Sequence, residues 1–178
     1  EVNTYKKAEK KLKTKLIECK DIVPDEKYYN GFSDRCFVYG VRKWTDLFNS
    51  RQLLVHLTYL EKFIEVKQEW LSDKNKNKSF VKAICVFGAI MIDTCINYNS
   101  ILTRWAPDRT VIKGTLDMQA FPFKTSYAEW NQLSLTGGFS WSKKKILKII
   151  TQILQLIITN TDSLNVSCND ASNIPSKD

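Results

Sequence analysis

Four stretches of the chain repeat apolar residues at three- and four-residue intervals, and each predicts a helix. From Asn3 to Cys19, Ala8, Leu12, Leu16 and Ile17 stand among lysines and predict a basic helix, ended by Pro24 and Asp25. Between Ser50 and Leu71, Leu53, Leu54, Leu57, Leu60, Ile64 and Leu71 form one face, with Glu61, Glu65, Lys67 and Glu69 on the polar side. Thr45 or Asn49 is expected to cap its entry. The polar run Asp73 to Lys78 is a connector. Ser79 is expected to cap a third helix reaching about Tyr98, apolar nearly all round through Val81, Ala83, Ile84, Val86, Phe87, Ala89, Ile90, Ile92 and Ile96. A helix with that pattern belongs in the middle of a core. Ser140 or Ser142 is expected to cap a fourth, whose broad apolar face runs from Ile146 to Ile158.

The intervening segments follow neither period. Residues 24–43 hold Tyr28, Tyr29, Phe32, Phe37 and Tyr39, too many aromatics for a free linker, and are expected to lie on the core. Residues 107–142 interleave aromatic, cationic and small polar side chains, the mark of a segment held by specific contacts. Leu164 to Cys168 looks like a short strand that would leave an edge unpaired. The fold predicted is mainly α: about four helices with long aromatic-rich irregular segments and one or two short strands. Along 1–178, a single domain or part-domain, the pieces are a basic helix (1–23), a helical core (24–98), an aromatic irregular segment (99–142), a helix (143–160) and a short strand with a tail (161–178).

Charge adds a partner to this picture. Twenty-seven Lys and Arg against nineteen Asp and Glu give a net charge of +8, which favours a polyanion whose counterions are released on binding. Six lysines, Lys6, Lys7, Lys10, Lys11, Lys13 and Lys15, crowd the first helix, where a solvated face explains them equally well. Lys143, Lys144, Lys145 and Lys148 crowd the first turns of the fourth, where each cation is unfavourable by roughly a few tenths of a kcal/mol. A bound phosphate or a neighbouring carboxylate would offset that, and the pattern leaves both open.

Much chemistry is excluded. The chain holds no GxGxxG, P-loop lysine, HExxH or Cys/His metal spacing, so no metal site is expected. The five scattered cysteines, Cys19, Cys36, Cys85, Cys95 and Cys168, suit a reducing compartment and buried thiols. The one histidine, His56, falls in an apolar helical run and reads as a packed residue. Asp93, Asp117 and Glu129 are the acids that folding could bring together. The apolar stretch Ala83 to Ile96 is short for a bilayer and interrupted by Gly88 and Asp93, so no membrane partner and a cytoplasmic location are expected. A start at Glu1 suggests a piece of something longer.

Three blocks in order over about 130 of the 178 residues carry a resemblance. They are Tyr39-Gly-Val-Arg-Lys-Trp-Thr-Asp-Leu-Phe-Asn-Ser-Arg-Gln-Leu-Leu54, then Trp105-Ala-Pro with Gly114-Thr-Leu-Asp-Met-Gln-Ala-Phe-Pro-Phe-Lys-Thr-Ser-Tyr-Ala-Glu-Trp-Asn131, then Gly137-Gly-Phe-Ser-Trp141. Together they resemble a family of large adenine-specific DNA methylases of archaea and bacteria. Gln132 and Thr125 depart from that family's usual proline and tryptophan.

The resemblance implies a segment of a larger α/β enzyme that transfers methyl groups from S-adenosylmethionine to adenine N6. The family's catalytic Asp-Pro-Pro-Tyr motif is missing, so no catalytic residue is assigned and no methyl transfer is expected of residues 1–178 alone. Asp170 matches the position near the cofactor adenine, although an Asn-Asp turn reads the same way. S-adenosylmethionine is thus a cofactor of the parent enzyme, with none expected for this chain. DNA and the rest of the methyltransferase, or partner subunits, are the implied partners. Arg42, Lys43, Arg51, Arg104, Arg109, Lys113, Lys143 and Lys144 are candidates for phosphate contacts, and Tyr127 and Trp130 for flat faces against an unstacked base. For Arg51 an ion pair with Asp46 competes with that role, and for the aromatics core filling does. The alternatives are a non-catalytic nucleic-acid-binding module and a protein-interaction module of a multi-subunit system.

Overall fold

A computed structural model describes residues 2–27, 38–118 and 126–159. Among the described residues the fold is mainly helical, with four helices and one small antiparallel sheet. In chain order the elements are α1 (Val2–Glu18), a 3-10 turn (Trp44–Leu47), α2 (Ser50–Ser72), α3 (Lys78–Asn97), β1 (Arg104–Ala106), β2 (Val111–Lys113) and α4 (Gly138–Thr159). The chain divides into two compact units, Glu1–Ile146 and Leu147–Asp178. The strand expected at 164–168, the aromatics Tyr28, Tyr29, Phe32 and Phe37, and the thiols Cys36 and Cys168 lie outside the described residues.

Helix α1 lies on the first half of α2. Leu12 is buried against Leu53 and Leu57, with Leu16, Val23, Phe48 and Leu54 packed around them. Each such leucine contributes about 1.5–3 kcal/mol of burial. Ile17, expected on the same side, is exposed instead, because five residues from Leu12 place it roughly 140° round the helix. The lysine Nζ of Lys15 crosses to Glu61 on α2 at 3.0 Å, which raises the Lys15 pKa and lowers that of Glu61.

The entry of α2 is closed by Asn49. Its Oδ1 accepts from Arg51 N and Gln52 N, and Gln52 Oε1 accepts from Asn49 N at 2.9 Å. This is a reciprocal box in which three otherwise unpaired backbone donors are answered. A second apolar cluster of Val41, Leu47 and Leu102 meets the first through Phe48, and Ile101 N donates to Leu47 O.

Helix α3 departs from expectation. Asn77, rather than Ser79, caps it by accepting from Ser79 N and Phe80 N. Val81, Ile92 and Cys95 are buried on one stripe, and Gly88 admits the Phe63 ring of α2 at a distance that no Cβ would allow. Phe80, Ile84, Val86 and Ile90 stay exposed, so α3 is not enclosed by a core. Its residues are apolar nearly all round, yet much of that apolar surface is left uncovered. At 20 residues it also exceeds the stretch first read as too short, and by length and composition it is long enough to cross a membrane.

The first turn of α4 is shaped by glycine. Gly138 has φ +52, and a Cβ there would collide with the backbone of Gln132. Phe139 N then donates to Gln132 O, and the Phe139 ring stacks on Tyr59 with centroids 3.8 Å apart. Ser140 and Ser142 are inside the helix and do not cap it; Ser142 is buried and its Oγ donates to Met91 O on α3 at 3.0 Å. Ile146 is buried, while in the second unit Leu147, Leu154, Leu156, Ile157 and Ile158 are exposed.

Candidate nucleic-acid interface

A polar junction holds the irregular segments to α2. Asn49 Nδ2 donates to the Tyr127 hydroxyl at 2.8 Å and to Glu129 Oε2 at 3.2 Å. Arg51 grips the same carboxylate with two bonds, Nε to Oε1 at 3.0 Å and Nη2 to Oε2 at 2.6 Å, and its guanidinium lies 5.6 Å from the Tyr5 ring of α1. Buried Asn99 receives Trp130 N and Gln52 Nε2 on its Oδ1, and Thr103 O accepts from Ala128 N. His56 sits beneath, edge-on to Phe48, with Nε2 3.2 Å from Asn99 O. In either tautomer its Nδ1 is buried without a partner, and burial pulls its pKa down. The histidine is therefore a neutral packing residue.

This junction positions an aromatic pocket. Tyr98, at the end of α3, meets Trp130 and Trp141 edge-on, with the three ring centroids 5.3–5.7 Å apart. Opposite them stands the β1–β2 hairpin, paired as Arg104↔Lys113, Trp105↔Ile112 and Ala106↔Val111. Directly opposed like charges weaken such a pair. Asp117 answers both, reaching Arg104 Nη2 at 2.5 Å and Lys113 Nζ at 3.8 Å. Tyr98, Trp105, Val111, Lys113, Asp117, Trp130 and Trp141 are among the residues lining a cavity of about 520 Å³.

The hairpin exit is pinned to α3. Thr115 N donates to Asn97 O at 2.7 Å, Leu116 N to Asn97 Oδ1 at 3.1 Å, and the Ser100 and Thr115 hydroxyls meet at 2.7 Å. A Cβ at Gly114 would press on the Asn97 amide, which would have to shift. A second cleft of about 650 Å³, lined in part by Trp44, Ile90, Leu116 and Lys145, shares Tyr98 with the first. Lys145 Nζ stands 5.0 Å over the Trp141 ring, a cation–π contact that ties the clefts together.

Of the residues proposed from sequence, two stand at these clefts. Lys113 and Trp130 line the first; Trp130 is half-buried in the ring cluster. Arg109 is exposed at the hairpin turn, 3.6 Å from Asp108. Arg42 and Lys43 are exposed beside the 3-10 turn, where their backbone N–H groups donate to Asp46 Oδ2 at 2.8 and 2.9 Å. Asp46 is thus a cap, and the ion pair of Arg51 is with Glu129 instead. Arg51 and Arg104 are both spent on carboxylates, and Tyr127 on Asn49, so these three brace the loops. Lys143 and Lys144 are exposed on α4, and among the described residues no carboxylate is within ion-pair reach of Arg42, Lys43, Lys143 or Lys144. Glu129 and Asp117 are held by separate arginines, which leaves no paired-acid arrangement to them.

Asp170 lies outside the described residues. The described strands form a two-stranded hairpin, and its turn is not glycine-rich. Sequence reading did not single out Tyr98, Trp105 or Trp141, and it placed Lys145 only within the lysine cluster of α4. Pro107-Asp108 between Trp105 and Val111-Ile112 was the available signal for a turn and hence for the hairpin. No family profile, characterised protein or solved structure matches this chain.

Proposed function

We propose that this chain is a helical scaffold that holds DNA within an S-adenosylmethionine-dependent adenine N6 DNA methyltransferase and is not catalytic on its own. The observation that carries the DNA-holding part is the pair of adjoining clefts, walled by Trp44, Tyr98, Trp105, Trp130 and Trp141 and accompanied by Lys113 and Lys145. Aromatic faces beside cations are what a nucleic-acid strand requires, rings for bases and charge for phosphates. The methyltransferase part rests on the three sequence blocks and places the chemistry in residues other than those described.

The test is a DNA-affinity titration at two salt concentrations. If Arg42, Lys43, Arg109, Lys143 and Lys144 all contact phosphates, affinity should fall roughly 500-fold between about 50 and 200 mM salt. Absence of binding at low salt would refute the reading. The exposed α3 ridge of Phe80, Ile84, Val86 and Ile90 favours a second one, a protein-interaction module. Under that reading DNA does not bind, and α3 variants change the state of association.

A further inference from the structure

The geometry points to a single-nucleotide pocket: one unstacked base of a DNA strand enters between the Trp105 face and the Tyr98–Trp130–Trp141 cluster, with its phosphate toward Lys113. The inference deepens the nucleic-acid reading and rests on it. Its volume of about 520 Å³ falls within the roughly 300–1,000 Å³ typical of pockets that take a small molecule. A nucleotide is a ligand of that size, whereas a duplex is far too wide.

The walls favour a flat ring. Tyr98, Trp130 and Trp141 brace one another edge to face, so their orientation is set before any ligand arrives. Trp105 is 54% exposed on β1 and lines the same cavity from the hairpin side. Such a ring surrenders burial that a closed pocket would have provided, and a base laid on it restores the contact.

Charge decides which flat ligand. Asp117 is the one carboxylate among the described lining residues, and it is answered by Arg104 at 2.5 Å and faces Lys113 at 3.8 Å. The three together carry one net positive charge, while Arg109 at the turn is answered by Asp108 at 3.6 Å. A cationic ligand, which aromatic cages otherwise accept, meets repulsion here. An anionic nucleotide is complementary. The Asn97 clamps on Thr115 and Leu116, with Gly114 beneath, hold the hairpin exit in place, so little ordering is needed on binding.

The test uses the 178-residue chain, a short single-stranded DNA carrying one 2-aminopurine, the matching duplex, and dAMP. Stacking on tryptophan should quench the 2-aminopurine in the single strand. Trp105→Ala should abolish the quench and weaken single-strand binding by about 5- to 150-fold, and Trp105→Phe should restore most of it. Because Trp105 is more than half exposed, the variant should keep the helical circular dichroism of the parent. DNA binding that persists with no quench, or with no response to Trp105→Ala, would overturn the pocket and leave the DNA reading standing. No binding of strand or duplex at low salt would overturn both. Displacement of the strand by dAMP at equal concentration would overturn its assignment to a strand, since a strand adds phosphate contacts that the mononucleotide lacks.

Discussion

Replacing Gly138 by alanine tests the claim that α4 is set in place by a backbone crossing. The residue has φ +52, a region that costs an L-residue about 1–2 kcal/mol. Its added Cβ would also meet O, C and Cα of Gln132, backbone atoms that cannot rotate away. Forcing such an overlap into packed structure costs a further ~1–3 kcal/mol, for a total of roughly 2–5 kcal/mol. Gly40 provides the control: φ is +82 there, but nothing lies within 4 Å of a Cβ. Gly40→Ala should therefore show the dihedral cost alone, about 1–2 kcal/mol. Urea denaturation of the two variants, followed by helical circular dichroism, measures the difference directly. Because Gly138 leads to Phe139, Trp141 and Lys145, Gly138→Ala should weaken DNA binding as well. Equal destabilisation of the two variants would show that the crossing with Gln132 contributes nothing and that Gly138 is only a flexible turn.

The remaining predictions concern the polar junction. Glu129→Ala should cost about 1–3 kcal/mol, since it strips Arg51 of both bonds and Asn49 of one; a double-mutant cycle with Arg51→Ala should return a coupling of roughly 1 kcal/mol, and a coupling of zero would refute the pairing. His56, the one histidine in the chain, has a pKa held below 6.5 by burial. The native state then binds fewer protons than the unfolded state as pH falls below 6.5. Stability should be flat with respect to this group above that value and decline as pH drops toward the depressed native pKa. In denaturation midpoints at pH 7.5 and 5.5, His56→Gln should remove that part of the decline, and an unchanged slope would show that the ring is not held neutral.

Helices were the legible part of the fold, and α2 most of all, because Asn49 followed by a sustained apolar face marks both its start and its inward side. For α3 the same logic misled: a run of apolar residues says what a helix could bury, not whether anything stands opposite to cover it. Ser79 and Asn77 are both able caps, and only the backbone decides between them. The two strands are three residues each, too short for an alternating period to show, so only the Pro-Asp turn announced them. The site was less legible still. Trp130 and Lys113 could be named from sequence because they lie in blocks of mixed aromatic and cationic residues, but the pocket they line also takes Tyr98 from one helix end, Trp105 from a strand and Trp141 from another helix. The partners of Arg51 and Arg104 depend on which carboxylate folding brings near, and for Arg51 that is 78 positions away.

The double use of Asn49 restricts what this position will accept. Asparagine, aspartate and serine are close to interchangeable at the start of most helices. Here one end of the amide serves α2 while the other donates to Tyr127 and to a carboxylate. Aspartate would keep the first duty and set anion against anion in the second; serine would have only one hydrogen to offer. A residue chosen for local reasons has become the latch between two distant parts of the chain, and the first turn of α2 reaches its full set of bonds only when the segment around Tyr127 and Glu129 has arrived.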